Sequence, residues 1–538
     1  MPKLQTNGAK QKRTTYMILL LWAAVCFALL VVDWCCWAPN RLDADMASEQ
    51  LLANLLAQEG GVMSTNWYYS TELRVLNTQL VMAPLFRLFT SWHTVRVVGS
   101  VVLILLYLAA WFWFGRSAKL KYSGLLGAGL LVLPYGALYR QYVLEGLYYI
   151  PHIAISFVVL GCAVRILRGG RRLAPAAGMV LFSFAAALGG PRQLFILNIP
   201  LTVAAALLCW LDAPPADTLR QKLANAWRTP GGVLLVPTLA ADAAALAGYL
   251  VNAKVLAEKY HFQDQGYVAF TGLNLDRLQW FVNALLASFG WQEGKVFSLT
   301  TLFNLAAAAL IVFCFVFSVR LVRGKARYPL GHRLVGAFFL AGAVCFALLY
   351  GLTNSGHSDR YLLPLAILFV PLLEIMLADC TPRHRPDVRG LTALLAVILL
   401  LRAGTDYRAA AVAANPNQGA AQFLVQNGYR DGYASFWDGN VMTELTDGTL
   451  NVWTLTPNSV PELRPWLQVT SHLQTPPQGK IFFVISKWEA YGERQPTTQA
   501  LADAMPEDAL IYEDGTVKIY GFASDEAMRQ TCGFAAFP

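Results

Sequence analysis

Charge is scarce in this sequence. Asp, Glu, Lys and Arg make up 14% of its 538 residues, against roughly a quarter in an average soluble domain. Because the apolar residues also run in long blocks, a string of ordinary soluble domains is excluded, although length alone would suggest one. No phosphate-binding Gly-rich loop ending in Lys-Ser or Lys-Thr is present, and no Ser-His-Asp motif. No apolar block is interrupted and repeated in the manner of a secondary transporter, and none carries a row of charges for ion translocation. The nine cysteines lack metal or disulfide spacing. Cys26, Cys162, Cys209, Cys314 and Cys345 fall inside apolar runs as small hydrophobes, and adjacent Cys35 and Cys36 cannot easily bridge. Internal repeats and low-complexity tracts are absent.

What is there is hydrophobic: 56% of residues, with a mean hydropathy of +0.44. A membrane span needs about 20 mainly apolar residues. Eleven candidates are expected, near 17–37, 95–114, 122–138, 147–164, 174–189, 194–211, 232–252, 297–319, 334–353, 361–378 and 388–403. The first run, Tyr16 to Trp37, follows a basic tail with Lys3, Lys10, Lys12 and Arg13. It is long for a cleavable signal and reads as a signal anchor. The net charge of +9 does not indicate nucleic acid, because Lys and Arg cluster between apolar runs, where they orient a membrane protein. With the N-terminus cytoplasmic, the inner segments carry 22 Lys and Arg and the longer outer loops before residue 402 carry 11.

Two outer loops are long, about 38–94 and 253–296. The second contains an amphipathic stretch, Leu273 to Phe289, with apolar Leu275, Leu278, Phe281, Val282 and Leu285 at helical spacing. Trp280 and Trp291 accompany it. Such a helix either lies at the membrane interface or packs on protein. The division expected is a membrane region 1–403 and a soluble extracytoplasmic α/β domain 404–538. In that tail Pro416 to Asn427 and Thr497 to Met505 read as helices. Tyr433 to Trp437, Leu450 to Leu455, Lys480 to Ser486, Ala509 to Glu513 and Val517 to Phe522 read as strands, with a hairpin turn at Asp514-Gly515. The tail's side depends on the short last span. Trp437, Asp438, Trp453, Trp466 and Trp488 could line a glycan surface or pack in its core.

The first outer loop begins Asn40-Arg41-Leu42-Asp43-Ala44-Asp45, with Glu49 one helical turn later. Asp43 and Asp45 could hold a divalent cation, Mg or Mn, or deprotonate an acceptor hydroxyl. Alternatively, Asp45 caps a helix Met46 to Leu56. The loop continues through Trp67, Tyr68, Tyr69, Glu72 and Arg74. Interfacial aromatics are ordinary, but that belt does not account for Glu72 and Arg74. Other outer turns place charges beside span ends: Arg140 with Glu145, then Tyr148-Tyr149-Ile150-Pro151-His152; Arg192 in Gly189-Gly190-Pro191-Arg192-Gln193; and His357, Asp359 and Arg360 before Tyr361-Leu362-Leu363-Pro364. Outer arginines run against the orientation bias, and an Arg fork suits a phosphate at headgroup level. An Asp359–Arg360 ion pair is the plainer alternative.

Together, the acidic motif after the first span, the aromatic first loop, the many spans, the Arg-Tyr-x-x-Pro-like turn and the soluble tail resemble the GT-C superfamily. These are membrane glycosyltransferases that use polyprenyl-phosphate sugars, such as bacterial protein mannosyltransferases and lipid A aminoarabinose transferases. The resemblance implies a polytopic α-helical fold and transfer of a sugar from a polyprenyl-phosphate donor to an extracytoplasmic glycan, lipid or protein. It implies Asp43 or Asp45 as base or metal ligand, Arg360 near the donor phosphate, and Arg192 as a second candidate by position. Many members show adjacent acids where this chain has Asp43-Ala44-Asp45, which leaves open which Asp is the base. Glu49, the loop aromatics, Glu72, Arg74, Arg140, His152, His357 and Asp359 are candidates for substrate contact. A surface-polysaccharide polymerase or ligase, a non-enzymatic lipid-linked sugar flippase and a non-catalytic assembly factor stay open at this point.

Overall fold

A computed structural model describes residues 2–169, 172–263, 269–354, 358–379, 385–456, 462–488 and 496–532. Among these residues nine helices are long and apolar enough to cross a membrane: Lys12–Cys36, Trp92–Ala118, Ile150–Leu167, Leu194–Asp212, Pro230–Lys259, Leu299–Arg323, Leu330–Leu352, Asp359–Asp379 and Pro386–Val412. Eleven were expected, and the two that differ have a physical cause. Segment 122–138 is broken by Gly124, which is left-handed, and by the Pro134-Tyr135-Gly136 turn, so only Leu125–Leu131 is a regular helix. Segment 174–189 forms Leu173–Ala187, 15 residues, which rises about 22 Å against a hydrocarbon core of about 30 Å. Conversely, the short last candidate belongs to a 28-residue helix, Arg385–Val412. Arg402 lies near the end expected for that span. It is buried, donating to the Gly290 carbonyl at 3.1 Å and to Gln292 Oε1 at 2.6 Å.

The chain folds into two compact units. The first comprises Met1–Val32, Val102–Ala253 and Gly266–Asp406; the second comprises Asp33–Val101, Lys254–Gln265 and Tyr407–Pro538. The first is the helical bundle. Its interior includes a polar chain in which Arg140 lies 3.5 Å from Glu145 and 3.4 Å from Asp406. Elsewhere in the bundle Arg333 makes a two-pronged pair with Asp212 at 2.8 and 2.9 Å. Gly136 and Gly290 touch backbone to backbone, and a Cβ on Gly290 would lie 2.2 Å from the Tyr135 carbonyl oxygen. Only glycine permits this approach.

The second unit is built on a five-stranded sheet, in the order Asn451–Leu455, Asp431–Ser435, Ile481–Ser486, Val517–Phe522, Leu510–Glu513. The first three are parallel and the last two antiparallel to their neighbours. Side chains alternate across the sheet. Tyr433, Trp453, Phe483 and Ile485 face one core with Leu501 and Met528, while Ala434, Val452, Phe482 and Val484 face another with Leu424 and Met442. The strand expected at Tyr433 to Trp437 ends at Ser435, and Phe436–Leu445 is a helix. This helix makes the crossover between parallel strands, which a hairpin cannot do. Trp437 sits on it, exposed, whereas Trp453 is buried.

The first long loop, about 38–94, is part of the same unit as the tail. Helix Ala44–Glu59 packs on Phe436–Leu445. Arg96 donates two 2.6 Å hydrogen bonds to the Glu444 carboxylate, both side chains buried. Asn415 donates to the carbonyls of Pro39 and Leu42, each at 3.1 Å, and Asn40 donates to that of Ala410 at 2.9 Å. A small second sheet joins strand Trp67–Tyr69 to His261–Phe262 on one side and Gln468–Val469 on the other. Both long loops and the tail therefore share one backbone hydrogen-bond network.

Candidate active site

Asp43, not Asp45, caps the first-loop helix. A 3-10 turn, Ala38–Arg41, brings the chain off the first span, and an Arg41 nitrogen holds Asp33 at 2.7 and 2.8 Å. The backbone then extends at Asp43, and the helix starts at Ala44. The Asp43 carboxylate accepts the Met46 N–H at 2.8 Å. Asp45 falls in the first helical turn, where acidic residues complement the helix dipole. Both carboxylates are half-buried. Gly60, with φ +77°, ends the helix.

Glu49 faces the loop. It accepts from Asn77 Nδ2 at 2.8 Å and from Thr78 Oγ1 at 2.6 Å, with Arg74 at 3.8 Å. Arg74 also lies 3.4 Å from Glu72. The structure thus brings Glu49 to Arg74 and Glu72, from which sequence spacing left it apart. Trp67 is fully buried in its strand. Tyr68 stacks on His261 at 6.0 Å between centroids. The Tyr69 hydroxyl accepts the Ser64 N–H at 3.0 Å, and burial pushes its phenol above the ordinary tyrosine range. Among the described residues no three His, Cys, Asp or Glu side chains form a metal-holding group. A cation at Asp43 and Asp45 would need its other ligands from backbone, water or substrate.

In the helical unit, Arg192 and Arg360 come to one aromatic cluster. The Arg192 guanidinium lies 5.5 Å from the Tyr149 ring centre and 5.2 Å from that of Tyr361. Arg360 lies 5.0 Å from the ring centre of Tyr142. Tyr142 and Tyr149 touch edge to face at 6.3 Å, and Tyr148 is 6.2 Å from Tyr142. His152 meets Tyr149 and shares a 3.0 Å hydrogen bond with Gln193. Both turns are irregular: residues Arg140–Glu145 and Leu194–Asn198 are π-helical, a form frequent at functional sites. Asp359 and Arg360 open a 3-10 turn, and the Asp359 carbonyl accepts from Ser288 Oγ at 2.9 Å. His357 lies outside the described residues. Tyr142 was not singled out from the sequence. Its only signal was its place two residues after an outer arginine.

Comparison with protein-family models finds no match, and comparison with curated proteins finds none either. Solved structures do match. The chain is similar to ArnT from Cupriavidus metallidurans in the apo state, with 13% identity, TM-score 0.54, and coverage of 95% of this chain and 98% of that one. ArnT from the same organism bound to undecaprenyl phosphate gives 13% identity and TM-score 0.52 over 93% and 97% of the two chains. The Archaeoglobus fulgidus oligosaccharyltransferase complex with Zn and sulfate gives 11% identity and TM-score 0.45 over 88% and 68%. The chain shares its fold with that ArnT structure over nearly its whole length.

Proposed function

We propose that this chain is a GT-C-type glycosyltransferase that moves a sugar from a polyprenyl-phosphate donor to an extracytoplasmic acceptor. The observation that carries this reading is the convergence of Arg192 and Arg360, far apart in sequence, on the Tyr142, Tyr149 and Tyr361 rings. A guanidinium stacked on a ring face is fixed in orientation, and its planar fork matches a planar, bidentate anion such as a phosphate. Both belong to turns that adjoin membrane spans, the level at which a lipid phosphate resides. The ArnT structure with undecaprenyl phosphate supports a donor of this class.

In the reaction the acceptor oxygen attacks the anomeric carbon. The bond from that carbon to the phosphate oxygen breaks, and the phosphate leaves with the electron pair. Arg360 and Arg192 stabilise the charge that develops there. Asp43 or Asp45 takes the acceptor's proton. The packing of the tail on the first outer loop supports an extracytoplasmic tail, since the Lys and Arg distribution puts that loop outside. Purified protein in lipid nanodiscs, given polyprenyl-phosphate sugars and an acceptor mixture, should form product that Asp43→Asn, Asp45→Asn or Arg360→Ala removes. Wild-type turnover in both Asp variants would discard the assignment of the base. Carriage of donor across vesicles with no new glycosidic bond would favour a flippase, and use of lipid diphosphate glycans a polymerase or ligase.

A further inference from the structure

The second long outer loop presents apolar surface that its own fold leaves uncovered. Helix Leu275–Ser288 buries Phe281, Ala284, Leu285 and Ser288 against the bundle, with Phe281 edge-on to Tyr350 at 5.9 Å. Its apolar stripe is wider than that contact. Leu275 is 72% exposed, and nearby Phe270 and Leu273 are 76% and 70% exposed. Beyond the helix, Val296 is 75% and Phe297 98% exposed. Phe297 also has φ +60°, an outlier conformation for a bulky residue. At that exposure its side chain packs against nothing among the described residues.

Both ends of this segment are tied to ends of membrane spans. The Thr271 and Asn274 N–H groups donate to the carbonyls of Leu352 and Gly351, at 2.8 and 2.9 Å, and Arg277 donates to that of Thr353 at 2.6 Å. After the helix, the Gln292 N–H donates to Asn304 Oδ1 at 3.0 Å and Asn304 Nδ2 returns to the Gln292 carbonyl at 2.8 Å. Span Leu330–Leu352 ends at the first set of contacts, and span Leu299–Arg323 begins at the second. The exposed apolar residues are thus continuous with the lipid-facing surfaces of two spans.

We infer that residues 269–299 form a membrane-surface element whose exposed side chains, Phe270, Leu273, Leu275, Val296 and Phe297, insert among the lipids. Its charges, Asp276, Arg277, Glu293 and Lys295, sum to zero, so insertion is driven by apolar burial and needs no anionic lipid. The occupant is the bilayer itself. Ser288 holds the Asp359 carbonyl, so the same helix joins the lipid surface to the Arg360 turn.

The test uses the full chain with a photo-crosslinking benzoylphenylalanine at position 297, or separately at 270, in nanodiscs of pure phosphatidylcholine. Val312, 61% exposed on its span, is the reference for lipid contact. Positions 297 and 270 should give phospholipid adducts in yields of the same order as position 312, unchanged by salt or by added phosphatidylglycerol. Adducts at 312 alone, crosslinks between two copies of the chain, or adducts that appear only with anionic lipid would each overturn the inference. A product assay is not involved, so the result is independent of the proposed transfer activity.

Discussion

Asp43 and Arg360 each stand directly beside a membrane span, yet they are held by different physics. Asp43 is fixed through backbone: its carboxylate caps a helix, and Asn415 holds the loop before it by two carbonyls. Any residue with a short polar acceptor could serve the cap. Arg360 and Arg192 lie on tyrosine faces, where the planar guanidinium matters and a lysine would not substitute. Stability and chemistry are therefore entangled at the acidic turn and separable at the arginines.

The largest effect should come from the buried pair that ties the first loop to the tail. Arg96→Leu leaves Glu444 buried and unpaired, which costs about 3–5 kcal/mol. Denaturant unfolding in detergent checks this, and an unchanged midpoint would show that the two regions are held together by other contacts. Next is Arg360→Ala, expected to lower turnover about 10²–10³-fold with the melting temperature retained. Arg360→Lys should recover little of that loss. At the acidic turn two variants separate cap from base. Asp43→Ala should lose about 1 kcal/mol of stability as well as activity, whereas Asp43→Asn, an equally good cap, should lose activity alone.

A pH series probes the tail. Burial pushes His472 from an ordinary value of 6.5 down to about 3. Its ring stacks on Trp453 at 4.0 Å between centroids. The unfolded chain binds the proton more readily, so His472's contribution is complete above pH 6.5 and is lost as pH falls towards 3. The slope is at most about 1.4 kcal/mol per pH unit, and His472→Gln should flatten it. Smallest is the ring effect. Tyr142→Leu should weaken donor binding by about 0.5–2 kcal/mol, while Tyr142→Phe keeps the face and should change little.

Local patterns in the sequence were sufficient where local forces decide the structure. Alternating apolar residues and Asp514-Gly515 located the strands of the five-stranded sheet to within a residue or two, and the Val517 to Phe522 strand without error, while the short strand Gln468–Val469 was missed. The helix around Phe281 was legible from its 3.6-residue period. Phe436 and Trp437 were misread as strand because aromatics favour strands, while the crossover that makes them helical depends on distant pairing. Asp45 looked like the cap because the Ala38–Arg41 turn, which starts the helix earlier, has no strong signal. The meeting of Arg192 with Arg360, and of Arg96 with Glu444, could not be read at all, since each depends on tertiary packing between remote segments.

That last pair has a consequence for how the protein is made. Arg96 emerges before seven of the nine spans among the described residues, and Glu444 only after the last of them has been produced. The first long loop must therefore wait until the tail has been made with a strand, Trp67–Tyr69, whose partners come later. Its final hydrogen bonds form only when the tail arrives. Completion of the acidic turn thus reports arrival of the tail: a product truncated before Asn415 would still lack the contacts from Asn415 that hold the turn before Asp43.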